Sequence, residues 1–171
     1  KGVFSGTLSY LFNIFSAEDR PFSQVLQEAI DKGFTEPDPR EDLCGNDVGR
    51  KLLILARELD LQNEFEEIAI QNLIPEHLRD GDKSGFLNRL QELDAIYAEI
   101  KQNQKPNHVL RYIGELSGDL QQDKGNLEVK LVSVPSDTAL GGLKGSDSFF
   151  EIYTESYGDR PIVVQGAGAG S

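Results

Sequence analysis

The hydrophobic period of this chain changes once, near Pro106, and that change limits the folds open to it. Before Pro106 the apolar residues recur at helical spacing. In the segment from about Pro21 to Lys32, Phe22, Val25, Leu26, Ala29 and Ile30 fall at i, i+3, i+4, i+7 and i+8, one face of an amphipathic helix. Pro21 suits its first turn, and Gly33 suits the left-handed residue just past its end. An apolar-rich segment from Phe4 to Phe15 opens with Ser5-Gly6-Thr7, and a third helix is expected from Asn46 or Asp47 to Leu59, burying Val48, Leu52, Leu55, Ala56 and Leu59. A longer helix is predicted from about Ser84 to Gln102, with Phe86, Leu87, Leu90, Leu93, Ile96, Tyr97 and Ile100 inward.

After Pro106 the pattern is that of strands: His108 to Leu116, Asn126 to Val134, Ser148 to Thr154 and Ile162 to Gln165, separated by Gly- and Asp-rich turns. Glu67 to Leu73 is a fifth candidate. Helices first and hairpin-linked strands afterwards predict an α+β fold, a mixed or antiparallel sheet with helices packed on one face. At 171 residues the chain is long enough for one domain with its own core.

Composition removes several function classes. The net charge is −12, with 17 basic residues interleaved among 29 acidic ones, so nucleic acid and anionic membrane surfaces are not expected partners. No apolar run reaches the length of a membrane span, and no signal-peptide pattern opens the chain. One cysteine, Cys44, allows no internal disulfide, which fits a reducing cytoplasmic setting. No metal-ligand set stands out. Neither His77 nor His108 has an evident base or ligand partner, and Cys44 reads as a small loop side chain.

The chemistry concentrates between Gly33 and Lys51. Glu36, Asp38, Glu41, Asp42 and Asp47 lie beside Arg40, Arg50 and Lys51, and Pro37 and Pro39 stiffen the loop in an extended form. Asp47 and Lys51 are four apart on a helix, at the edge of its buried stripe. A lysine ammonium there can polarise a carbonyl oxygen and supply a proton as alkoxide forms, while the carboxylates can bind an ammonium group. On spacing alone the same pair also reads as an ordinary surface ion pair.

The run Gly33-Phe34-Thr35-Glu36-Pro37-Asp38-Pro39-Arg40-Glu41-Asp42-Leu43, followed by Gly45, Asp47, Val48, Arg50 and Lys51, closely resembles the signature of homoserine dehydrogenases. Gly2 to Tyr10, Val109 to Gly114, Leu143 to Asp147 and Val163 to Gly170 agree with that family in order and spacing. The resemblance implies the substrate-binding and catalytic domain, residues 1–171, of an enzyme that reduces aspartate 4-semialdehyde to homoserine with NADH or NADPH. It implies Lys51 as proton donor and Glu36 and Asp47 as ligands of the amino-acid substrate, supported by Asp42. Gly6 and Thr7 would line the pocket, and Gly33 and Gly170 would approach the cofactor. It further implies a homodimer formed through the sheet.

A strand–GxGxxG–helix phosphate cradle is not found, and the family's nucleotide-binding domain, its second catalytic lysine and its monovalent-cation site fall outside these residues. The chain alone is therefore expected to be inactive, its cofactor held mainly by a domain elsewhere. Phe34 departs from the tyrosine many members carry there. A non-catalytic oligomerisation or regulatory module on the same fold is the alternative. Cofactor preference, feedback control and fusion to an aspartate kinase are set outside these residues.

Overall fold

The computed structural model of the chain describes residues 1–119 and 121–168. A two-residue strand, β1 (Gly2–Val3), leads into α1 (Gly6–Ala17), whose N-terminus is capped by the Ser5 hydroxyl accepting from the Leu8 N–H at 3.2 Å. α2 (Phe22–Asp31), one-turn α3 (Arg40–Leu43) and α4 (Asn46–Glu58) follow. Then come β2 (Ala69–Ile70), α5 (Lys83–Leu87) and α6 (Asp94–Gln102), and finally β3 (His108–Ser117), β4 (Asn126–Pro135), β5 (Ser148–Ile152) and β6 (Ile162–Gly166). The six strands form one sheet in the order β2-β4-β3-β1-β5-β6. β2 runs parallel to β4 and every other pairing is antiparallel, so the sheet is mixed and the fold α+β.

Alternation along β3 assigns its two faces. Leu110 and Tyr112 point into the main core with α1, α2, α4 and α6, where Phe12, Phe15, Phe22 and Tyr97 form an aromatic cluster and Phe22 stacks on Tyr97 at 3.7 Å. Ile113 points the other way, into a smaller cluster with Val3, Leu140, Leu143 and Phe149. The helices thus cover one face, and the segment between β4 and β5 covers part of the other.

Several expectations change. The single helix over 84–102 is three pieces: α5, a 3₁₀ turn over Leu90–Leu93, and α6. Phe86, Leu90, Leu93 and Tyr97 stay buried across the breaks, so the apolar face is continuous although the backbone is not. Ile96 is left exposed. At the start of α6, Asp94 turns its carboxylate to the first turn of α2, accepting from the Ser23 N–H at 2.7 Å and its hydroxyl at 2.8 Å.

The strand expected over 67–73 shrinks to β2, because the Glu64–Glu67 capping box winds Phe65–Glu67 into a 3₁₀ turn. Beyond β2, Gln71 continues the pairing by donating its N–H to the Val129 carbonyl and accepting the Leu131 N–H on its side chain. β5 is shorter than expected, ending at Ile152. Leu59 lies one residue past α4 and is exposed rather than buried.

Candidate active site

The left-handed turn at Gly33 (φ 72°) closes α2. The Phe34 N–H reaches the Ala29 carbonyl at 2.9 Å and the Gly33 N–H the Ile30 carbonyl at 3.0 Å, the paired bonds of a Schellman cap. The chain then turns back over α1, where the Phe34 ring meets Tyr10 at 4.7 Å and the Thr7 hydroxyl donates to the Phe34 carbonyl at 2.5 Å. The proline loop is not extended throughout: Pro39 takes helical angles and opens α3. Arg40 holds Asp38 at 2.6 Å and donates to the carbonyls of Arg79 and Gly81, tying the loop to the segment before α5.

Gly45 (φ 81°) then redirects the chain into α4. A side chain there is excluded twice, by the backbone angle and by the Tyr112 hydroxyl, which a Cβ would approach to 2.0 Å. This glycine sets the start of the helix that carries Asp47 and Lys51. Their i, i+4 pair forms, with Nζ 2.7 Å from the Asp47 carboxylate and also donating to the Phe4 carbonyl at 3.0 Å. The ammonium therefore has two fixed acceptors, one on α4 and one on the strand-to-helix link before α1.

Asp42 is the most enclosed carboxylate of the loop. Burial pushes its carboxyl up, against the hydrogen bond from the Glu36 N–H at 2.8 Å and the adjacent Thr7 hydroxyl. Lys32 is already satisfied by Glu28 at 2.5 Å and the Tyr10 hydroxyl at 3.0 Å. Hydrogen bonds to Glu28 from Lys32, the Tyr10 hydroxyl at 2.8 Å and Arg20 at 2.7 Å hold its carboxyl down to about 2.

Gly6, Thr7, Gly33, Glu36, Asp42, Asp47 and Lys51 all line one open cavity of about 930 Å³. Gly170 lies outside the described residues. Sequence reasoning missed other parts of the wall. The Phe4 carbonyl is a backbone group and leaves no side-chain signal. Ser146 lines the cavity from the β4–β5 segment, within the run Leu143 to Asp147 that agrees with the family, and Ser148 from the first residue of β5, which the sequence shows only as a strand start. Phe34 and Ile54, 44% and 60% exposed, form an apolar rim.

His77 does have a partner, with Nε2 3.1 Å from the Glu92 carboxylate, but the pair is exposed and does not line the cavity. Among the described residues no cluster of His, Cys, Asp or Glu is placed to hold a metal ion, and no helix is long and apolar enough to cross a membrane.

A mixed sheet backed by helices, with two lysines and three carboxylates around an open cavity, defines an α+β domain with a charged cavity of small-molecule size. The sequence matches the family described as homoserine dehydrogenase over residues 1–171. It is 43% identical to a homoserine dehydrogenase of Emericella nidulans, over 99% of this chain and 48% of that protein. It is 40% identical to a chloroplastic bifunctional aspartokinase/homoserine dehydrogenase of Zea mays, over 100% of this chain and 18% of that protein. A crystal structure of a protein of unknown function from Candida auris superposes with a TM-score of 0.86 at 38% identity, over 99% of this chain and 48% of that one. A homoserine dehydrogenase structure from Thiobacillus denitrificans shares the fold, with a TM-score of 0.71 at 24% identity, over 99% of this chain and 34% of that one. The chain belongs to the homoserine dehydrogenase family. It spans about half the length of the fungal relatives it matches and about a fifth of the plant ones.

Proposed function

We propose that residues 1–171 form the substrate-binding and proton-donating domain of an NAD(P)-dependent homoserine dehydrogenase, reducing L-aspartate 4-semialdehyde to L-homoserine on the route to threonine, methionine and isoleucine. The observation that carries this reading is the Lys51 ammonium, held by Asp47 and the Phe4 carbonyl beside the carboxylates of Glu36 and Asp42. Glu36 and Asp47 bind the substrate's ammonium group, and Asp42, through the Glu36 N–H and Thr7, fixes the loop that presents them. Lys51 directs its third N–H to the carbonyl oxygen and gives up that proton as negative charge grows there. Its side chain is 48% exposed, so water can return the proton.

The nicotinamide cofactor, when bound, supplies the hydride. The cavity fits the ring end of such a group. It is several times larger than a four-carbon amino acid needs, and the Phe34 and Ile54 side chains offer an apolar rim. Gly33, at which a Cβ would meet nothing within 4 Å, leaves the approach open. The phosphates and adenosine would be held by a domain outside residues 1–171, with Gly170 approaching the cofactor. Whether that cofactor is NAD or NADP is decided there.

A homodimer through the sheet is part of the same reading. It is supported by β6, an outer strand whose Ile162, Val163 and Val164 are 41–53% exposed. The acidic surface disfavours nucleic acid and anionic membranes as partners, and the lone cysteine fits the cytoplasm.

The test is Lys51→Ala in the complete enzyme. The Asp47–Lys51 pair is half-exposed and should contribute no more than about 0.5 kcal/mol to stability, so the variant folds normally. Turnover should fall by about two orders of magnitude or more. Near-normal turnover would remove Lys51 from the chemistry.

A further inference from the structure

The segment between β4 and β5, residues 136–147, has an architecture that a mere connection does not need. The Thr138 hydroxyl donates to the Pro135 carbonyl at 2.8 Å and accepts the Gly141 N–H at 3.0 Å, and the Gly142 N–H reaches the Thr138 carbonyl at 2.8 Å. A Cβ on Gly141 would come within 1.9 Å of the Pro135 carbonyl oxygen, so the segment closes this tightly only with glycine there. Leu140 and Leu143 are buried against Val3, Ile113 and Phe149.

Arg111 of β3, 3% exposed, grips the segment from inside. Nε donates to the Leu140 carbonyl at 3.1 Å, and Nη2 to those of Gly141 at 2.6 Å and Leu143 at 3.1 Å, while Nη1 takes the Leu110 carbonyl at 2.7 Å. No carboxylate meets this buried cation among the described residues; carbonyl dipoles alone offset its desolvation. Two more side chains, both on α1, hold the far end: Asn13 donates to the Gly145 carbonyl at 2.8 Å and Ser9 to the Asp147 carbonyl at 3.1 Å.

Ser146 sits between these last two grips, and Ser148 follows directly after them. Both line the cavity, and neither hydroxyl has a hydrogen-bond partner among the described residues. We propose that Arg111 is a positioning residue whose clamped segment delivers the Ser146 and Ser148 hydroxyls to the cavity as donors for the substrate's α-carboxylate. The inference rests on the proposed function. An amino-acid aldehyde presents an ammonium, a carbonyl and a carboxylate, and the first two are matched by Glu36, Asp47 and Lys51. A carboxylate needs donors in a cavity rich in acceptors. Lys32 is committed to Glu28, and the Thr7 hydroxyl to the Phe34 carbonyl. Ser5 also lines the cavity but is engaged as the cap of α1, accepting the Leu8 N–H at 3.2 Å, so Ser146 and Ser148 are the lining serines whose hydroxyls have no partner among the described residues.

The experiment is steady-state kinetics on the complete enzyme with homoserine and cofactor each varied. Ser146→Ala/Ser148→Ala should raise KM for homoserine roughly tenfold, leaving kcat within about twofold and the cofactor KM unchanged, as loss of uniform binding to a charged group requires. Arg111→Lys keeps the charge but cannot span carbonyls on both sides, so it should raise the same KM. Adding the two serine changes to Arg111→Lys should then cost less than the product of the separate effects. Asn13→Ala, which releases the Gly145 carbonyl, reads out the same grip if Arg111→Lys fails to fold.

If the unmodified enzyme does not oxidise homoserine, the proposed function falls and this inference with it. If it does, but the double serine variant keeps the normal KM or shifts only the cofactor KM, the inference alone is overturned. An Arg111→Lys variant that lowers the unfolding midpoint with KM untouched, with Asn13→Ala equally silent, would make the clamp structural only.

Discussion

Replacing Gly45 by alanine strikes the active-site helix at its first turn, and two separable costs follow from the local geometry. The residue sits at φ 81°, where an L side chain costs about 1–2 kcal/mol. The new Cβ would lie 2.0 Å from the Tyr112 hydroxyl and 3.0 Å from Ile70 Cγ2. Relieving such overpacking costs about 1–3 kcal/mol. The Tyr112 hydroxyl is not free to swing away, since it donates to the Gln71 carbonyl at 2.7 Å on the buried side of the sheet. The sum is about 2–5 kcal/mol, read as a lower urea midpoint with an unchanged m-value. Removing the hydroxyl separates the two parts. Gly45→Ala in a Tyr112→Phe background should cost less, the backbone share of about 1–2 kcal/mol plus the milder crowding against Ile70 Cγ2 at 3.0 Å and the ring carbon Cζ at 3.1 Å. A shift of the α4 start would also displace Asp47 and Lys51, so turnover in the complete enzyme should drop beyond any loss of folded protein. A Gly45→Ala chain destabilised by less than about 1 kcal/mol, or one whose loss is the same with and without the Tyr112 hydroxyl, would refute the reasoning.

Other expectations are narrower. Asp42→Asn should be more stable than the parent at neutral pH. Burial raises the folded-state Asp42 carboxyl above its unfolded value, so the ionised form opposes folding, and that penalty fades as pH falls through the folded and then the unfolded value. Urea midpoints from pH 7 to 3 test this, and an Asn variant weaker than the parent at pH 7 would contradict it; turnover of the complete enzyme should fall in the same variant. The 171-residue chain by itself should show no NAD(P)H-dependent turnover of aspartate semialdehyde or homoserine, and measurable turnover would overturn the placing of the cofactor domain elsewhere. Val163→Asp on β6 should shift a dimer to monomer in light scattering, and an unchanged mass would take the sheet edge out of the interface.

The elements legible in the sequence are those whose pattern is local. α2 declares itself by five apolar residues at helical spacing and a glycine stop, and β4 by strict alternation through Leu127 and Val129. The breaks within 83–102 left no trace, because burial constrains which face Leu90, Leu93 and Tyr97 present and not whether every backbone bond between them is α-helical. β1 and β2 were missed or overdrawn for the opposite reason. Two residues are too few to show a period, and each exists only because a longer strand elsewhere pairs with it.

The site divides along the same line. Glu36, Asp42, Asp47 and Lys51 sit within 16 residues of sequence, so a motif can hold them together and the structure has only to fold it over α1. The other wall is assembled from backbone and neutral hydroxyls distant in sequence: the carbonyl of Phe4, and Ser146 and Ser148, separated from the motif by β3 and β4. Arg111 shows the limit most clearly. An arginine in a strand between Leu110 and Tyr112 reads as a solvent-facing charge, yet it is buried and bonded to four carbonyls. Nothing about the residue type announces that, because its acceptors are main-chain atoms contributed mostly by a segment some 30 residues away, at Leu140, Gly141 and Leu143, whose side chains carry no polar group. The charged half of this site is therefore written in side chains and the half that shapes it in backbone, which is why variants at Arg111 and Gly45, rather than at the carboxylates, discriminate most sharply between a cavity that is merely present and one that is built.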